Sequence, residues 1–177
     1  MTRIITQAQA VELYGDPGLH LAEPAPAWVK ANIVGCGWNG KAELIGMPGV
    51  PPKFYFAVHR KVEQQMRAAF AAALEACPEY TIGAAASFVF RHQRHDVSRP
   101  LSLHSWGIAV DIDAGLNSAH DFGGLAQPLP WSAAWLERWP HGLPRAFVEA
   151  FEAHGFDWGG RWHGFVDAMH FQIKAPA

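Results

Sequence analysis

The chain is short of cysteine, of charge and of long apolar runs. Only Cys36 and Cys77 occur in 177 residues, in dissimilar contexts and with no CxxC pair. Neither a thiolate zinc site nor a disulfide framework is indicated; both are expected to be free thiols, a single bridge between them being the alternative. Charged residues make up 17% of the chain, the net charge is -2, and the only basic stretch is the short "RHQRHDVSR". Nucleic acid, whose binders carry clustered Lys and Arg, is therefore not an expected partner. No stretch approaches the roughly 20 apolar residues of a membrane span, so no membrane partner is expected either. The start, "MTRIITQAQAVELYG", has neither the apolar run nor the cleavage site of a signal peptide. The expectation is a protein made in the cytoplasm without its own export signal.

What is present is half hydrophobic, enough for one domain with a substantial core. Eight tryptophans and ten histidines are many for this length. Tryptophan suits cores and ligand grooves, and histidine is the commonest metal ligand.

Thr6 to Tyr14 reads as a helix, with Thr6 as N-cap and Gly15 as stop. Asp16 to Pro52 is rich in Pro and Gly and reads as loop, with a strand near Ala31–Val34. Residues 1–55 thus form an N-terminal helix and a Pro/Gly-rich wrapping segment, and 56–177 the main domain. Arg60 to Cys77 is the clearest helix, because Val62, Met66, Ala69, Phe70, Ala73 and Leu74 recur every three or four residues before Pro78. Tyr80–Phe90 and Gly107–Ala114 read as strands. In the second, Ala109, Asp111 and Asp113 share one face, and Ile108, Val110 and Ile112 the other. Ser132–Trp139 and Pro144–His154 read as helices, "FDWGGRW" as a turn and "MHFQIK" as a closing strand. The order implies a single α+β domain, a mainly antiparallel sheet with helices packed on one side.

"SLHSWGIAVDID" sets His104, Asp111 and Asp113 around an apolar strand. Ionisable groups are costly to bury unpaired. Zinc hydrolases use three protein ligands from His, Asp or Glu, and a spare carboxylate to take a proton from water. His104, Asp111 and His170 fit as ligands and Asp167 as the base. Asp113 reads as a strand-end or turn residue. Trp106, Trp158 and Trp162 are candidates for a groove wall. Trp131, Trp135 and Trp139, spaced by four, read as a helix face on the core. The "RHQRH" run reads as a solvated loop, and His163 reads equally as pocket or surface.

"SLHSWGIAVD" matches the S-x-H-x-x-G-x-A-x-D motif of the M15 zinc peptidases, the D-Ala-D-Ala carboxypeptidase and L-alanyl-D-glutamate endopeptidase group. "DAMHF" resembles their second motif, and "GFDWGGRWHGFVDAMHF" is similar to the endolysin branch. The resemblance covers roughly Tyr80 to Ile173. It implies a hedgehog/D-Ala-D-Ala-peptidase-like fold, Zn2+ held by His104, Asp111 and His170, and Asp167 as general base. It further implies an arginine for the oxyanion or a substrate carboxylate, with Arg91 the better match and Arg94 the alternative. Ser102, Trp106 and Trp162 would contact substrate. The implied partners are peptidoglycan stem peptides, met by a monomer that reaches the cell wall after release, as in a phage or prophage lysis enzyme. The chain departs from the family's H-x-E pattern by carrying Gln172. The alternatives are a D-Ala-D-Ala carboxypeptidase, a non-catalytic zinc-containing wall-binding module and a hydrolase of another amide.

Overall fold

The computed structural model describes residues 4–35, 46–51 and 56–175. Cys36 and parts of the Pro/Gly-rich segment lie outside them. Helix α1 (Gln7–Tyr14) opens with a capping box: the Thr6 hydroxyl accepts from Gln9 N and the Gln9 side chain accepts from Thr6 N. Helix α2 (Pro26–Asn32) falls where the Pro content suggests loop. Pro26 stands at its first turn, where a missing N–H costs nothing. Strand β1 (Ile33–Val34) follows and pairs antiparallel with β2 (Val58–His59).

Helix α3 (Glu63–Ala76) buries Met66, Ala69, Phe70 and Ala73 along one stripe. It packs on helix α5 (Arg145–Ala153) through Phe70 and Phe151, whose rings meet edge-on at 5.1 Å. Beneath them lies the main sheet. Its strands are β3 (Ala85–Ala86), β4 (Ala109–Ile112), β6 (Phe156–Trp158) and β8 (His170–Ile173), antiparallel in the order β3-β4-β8-β6. Alternation sorts its side chains. Val110, Ile112, Phe156, Trp158, Phe171 and Ile173 enter the core, with Phe171 4.5 Å from Phe151. The other face carries Asp111, His170, Gln172 and Asp157. A two-stranded ribbon of β5 (Ala119–Asp121) and β7 (Phe165–Asp167) and helix α4 (Ala133–Arg138) complete the described fold. The expectation of an α+β domain with antiparallel pairing and helices on one face is met. No helix among the described residues is long and apolar enough to cross a membrane.

Several local expectations are corrected. Tyr80–Phe90 pairs only at Ala85–Ala86, because the preceding donors are drawn to Asp113. Its Oδ1 accepts from Gly83 N at 2.8 Å and Ala84 N at 2.6 Å, and its Oδ2 from the Tyr80 hydroxyl at 2.7 Å. Asp113 itself has a positive φ of 47° and leaves the strand, so it does not share the face of Asp111. Trp131 precedes the N-cap Ser132 and stacks on Trp158 at 5.1 Å, off helix α4. Trp135 and Trp139 do pack in the core.

The N-terminal segment is part of this core, to which Ile5, Ala10 and Met47 contribute. The Trp106 indole N–H donates to the Gly15 carbonyl at 2.8 Å. Trp106 is wholly buried, which overturns its expected place on a substrate groove. Trp158 is corrected likewise: it is buried and its indole donates to Ala168 O at 2.8 Å.

Candidate metal centre and its cavity

A short 3-10 turn, Leu103–Trp106, carries His104. Gly107 ends it with φ 66°, and its N–H returns to His104 O at 2.9 Å. Only glycine fits there: a Cβ would lie 2.8 Å from His59 N. The chain then enters β4, whose Asp111 stands directly across from His170 on β8. Two strands and one turn thus aim three side chains at one point.

His104 Nε2, Asp111 Oδ1 and His170 Nδ1 lie 3.1, 2.9 and 3.2 Å from one another. Ligands of a tetrahedral zinc, about 2.0–2.1 Å from the ion, stand roughly 3.3 Å apart, so the spacing suits one cation. The outer nitrogens fix the tautomers. His104 Nδ1 donates to the Ser87 carbonyl at 2.6 Å, and His170 Nε2 to Gln172 Oε1 at 3.2 Å. The inner nitrogens therefore present lone pairs to each other and to a carboxylate, an arrangement that a divalent cation resolves. The donor set fits a metal ion.

Electrostatics agree. Burial pushes the Asp111 carboxyl up, but hydrogen bonds and charge from His104 and His170 prevail and hold it well below the usual carboxylate range. Burial pulls His170 down, but Asp111 and then Asp167 outweigh it and raise its pKa. A pocket that favours a proton on that imidazole also favours a metal cation.

Asp167, at the end of β7, faces the same region. Burial raises its pKa; the His170 charge opposes this and the Asp111 charge adds to it. Its Oδ1 is buried and makes no hydrogen bond. Gly159 permits the close approach, since a Cβ there would lie 2.5 Å from Asp167 O. An uncommitted, desolvated carboxylate beside a ligand cluster has the character of a proton acceptor.

Arg91 is set by Ser105, whose buried hydroxyl accepts from Arg91 N and donates to Arg91 O, both at 3.0 Å. Its guanidinium stands 3.8 Å from Asp111 Oδ2. Arg94 instead lies over the Phe165 ring at 3.8 Å and pairs with Asp121 at 3.3 Å. Of the two arginines, Arg91 faces the ligand cluster directly.

Asp167 and His170 open onto a cavity of about 650 Å³. Ser102, Trp162 and His163 line it, as the sequence suggested for the first two. Arg94 and Arg99 join Arg91 on its wall, and Asp157 and Gln172 are also exposed to it. Sequence reading missed three supports of the site. The Ser87 carbonyl carries no side-chain signal. Ser105 lies inside the first motif but acts on a distant backbone. Asp157 sits in "FDWGG", which reads as a turn although Phe156–Trp158 is strand β6.

Residues 95–173 match the M15 peptidase family model described as D-alanyl-D-alanine carboxypeptidase. The match contains His104, Asp111, Asp167 and His170, so the resemblance carried by the two motifs is shown over these residues. Comparison with solved structures gives no match.

Proposed function

We propose that this protein is a zinc-dependent peptidase acting on peptidoglycan stem peptides, as an endopeptidase at L-alanyl-D-glutamate-type bonds. The convergence of His104 Nε2, Asp111 Oδ1 and His170 Nδ1 beside the uncommitted Asp167 carries this reading. His104, Asp111 and His170 would hold the ion. Zinc, when bound, supplies Lewis-acid polarisation and lowers the pKa of water to about 7.

The rest is the work of the chain. Asp167 accepts the proton of the attacking water and returns it to the leaving amine. The Arg91 guanidinium donates hydrogen bonds to the negative charge that develops on the carbonyl oxygen. Ser87 and Gln172 keep both imidazoles in the ligand tautomer. Ser102 and Trp162 line the cavity that receives the peptide. Release of the protein to the wall, as in a lysis enzyme, would bring it to this substrate.

A second reading is a D-Ala-D-Ala carboxypeptidase. The description of the matched family favours it, and so does the arginine-bearing cavity wall, which suits a terminal carboxylate. Mass spectrometry of muropeptides after incubation with zinc-loaded and chelated protein separates the two. Metal-dependent release of the peptide beyond L-Ala supports the endopeptidase, and loss of one alanine the carboxypeptidase. No cleavage by zinc-loaded protein would overturn both and leave a wall-binding module.

A further inference from the structure

The face of the main sheet that bears the metal ligands continues past them. One row across it is Asp111 and His170; the next is Ala109, Gln172 and Asp157, each paired in register with its neighbour. Cross-strand neighbours on one face have Cβ atoms about 4.5–5.5 Å apart. Ala109 is small, so the second row presents chiefly a carboxamide and a carboxylate.

Both are nearly enclosed, yet both line the cavity. Asp157 is 3% exposed and Gln172 4%. Asp157 Oδ2 accepts from the Trp162 indole N–H at 2.9 Å. It takes part in no ion pair among the described residues. Arg161, whose charge is favoured first by Glu152 and only last by Asp157, is committed to Glu152 by two hydrogen bonds of 2.7 and 2.8 Å. Gln172 gives its oxygen to His170, and its Nε2 is buried with no partner. A buried carboxylate without a cation and a buried donor without an acceptor are both costly, and both are satisfied by a ligand carrying the complement.

We infer that Asp157 and Gln172 form a subsite for a primary ammonium group of the substrate, a reading that rests on the proposed peptidase function. The Asp157 carboxylate takes the ammonium, and Gln172 Nε2 donates to a peptide carbonyl beside it. Arg91, Arg94, Arg99 and Arg161 line the same cavity. They repel a cation from much of the wall; of the two carboxylates on it, Asp167 serves the attacking water, which leaves Asp157 to accept the ammonium. The substrate class is thus a peptide with a carboxylate and a free amine, such as a stem peptide with an unmodified diamino residue.

The test uses two N-acetylated stem pentapeptides, L-Ala-γ-D-Glu-L-Lys-D-Ala-D-Ala with the lysine amine free and with it acetylated. kcat/KM is measured for both with the zinc-loaded wild type and with Asp157→Asn, which keeps an acceptor for the Trp162 indole. The wild type should favour the free amine about ten- to a hundredfold, the scale of a charged hydrogen bond, and Asp157→Asn should lose the preference. Equal rates in the wild type, or a preference retained by Asp157→Asn, would overturn the subsite. If neither peptide is cut, calorimetric binding of the same pair decides. Tighter binding of the free amine that Asp157→Asn abolishes supports the subsite while the peptidase reading fails; equal binding, or none, overturns it.

Discussion

Gln172 Oε1 lies 3.2 Å from His170 Nε2, so the residue that departs from the family's H-x-E pattern keeps the contact that orients the second imidazole. An amide oxygen can accept the ring N–H as a carboxylate would, without adding charge.

Removing that acceptor should weaken metal binding. Gln172→Leu is expected to lower zinc affinity about 10- to 100-fold, the usual scale for loss of such a support. Gln172→Glu should retain it. Competition titration with a chromophoric chelator measures both, and unchanged affinity in Gln172→Leu would remove the orienting role.

Asp167→Asn should separate binding from chemistry. Zinc stoichiometry is expected to stay as in the wild type, while kcat falls about 10²- to 10⁴-fold, the range that general-base catalysis supplies. An Asp167→Ala protein that bound zinc and kept full activity would remove the base from the mechanism.

His59 makes the fold acid-sensitive. It is wholly buried, its Nε2 has no partner, and burial chiefly lowers its pKa to about 4 from the ordinary 6.5. The unfolded chain therefore binds the proton first. Stability from the neutral ring is full above pH 6.5, declines as pH falls toward 4, and amounts to roughly 3 kcal/mol at most. Thermal melts of chelated protein across that window should show a flatter pH dependence in His59→Gln than in the wild type.

Gly107→Ala should destabilise the turn that carries His104. The positive φ alone costs an alanine about 1–2 kcal/mol, and the contact with His59 N adds to it. For a domain of this size that is a fall in Tm of roughly 2–8 °C, read by calorimetry. A Tm equal to that of the wild type would contradict the geometry.

The candidate ligand set was legible because chemistry and spacing coincide: His104, Asp111 and His170 are ionisable side chains interrupting apolar strands, and they do converge. Helix α3 was legible from its apolar stripe and from Pro78, and α5 from Pro144 and Gly155 at its ends. Other features depend on partners far away in sequence. Tyr80–Ala84 has strand composition, but its donors go to Asp113, some 30 residues on. Trp106 has the character of a groove wall until α1 covers it and Gly15 accepts its N–H. The β5–β7 ribbon has no run long enough to announce itself, and Asp157 is obscured by the glycines that follow it.

The Trp106–Gly15 bond bears on where the chain could be cut. Trp106 follows the proposed ligand His104 by two residues, and its acceptor stands at the end of α1. A fragment beginning at residue 56 would keep every proposed ligand, yet it would leave an indole N–H without its acceptor and uncover the apolar side chains that Ile5 and Ala10 now meet. A unit that keeps these contacts around the centre therefore includes α1, and a graft or fusion of this site that preserves them carries that helix with it.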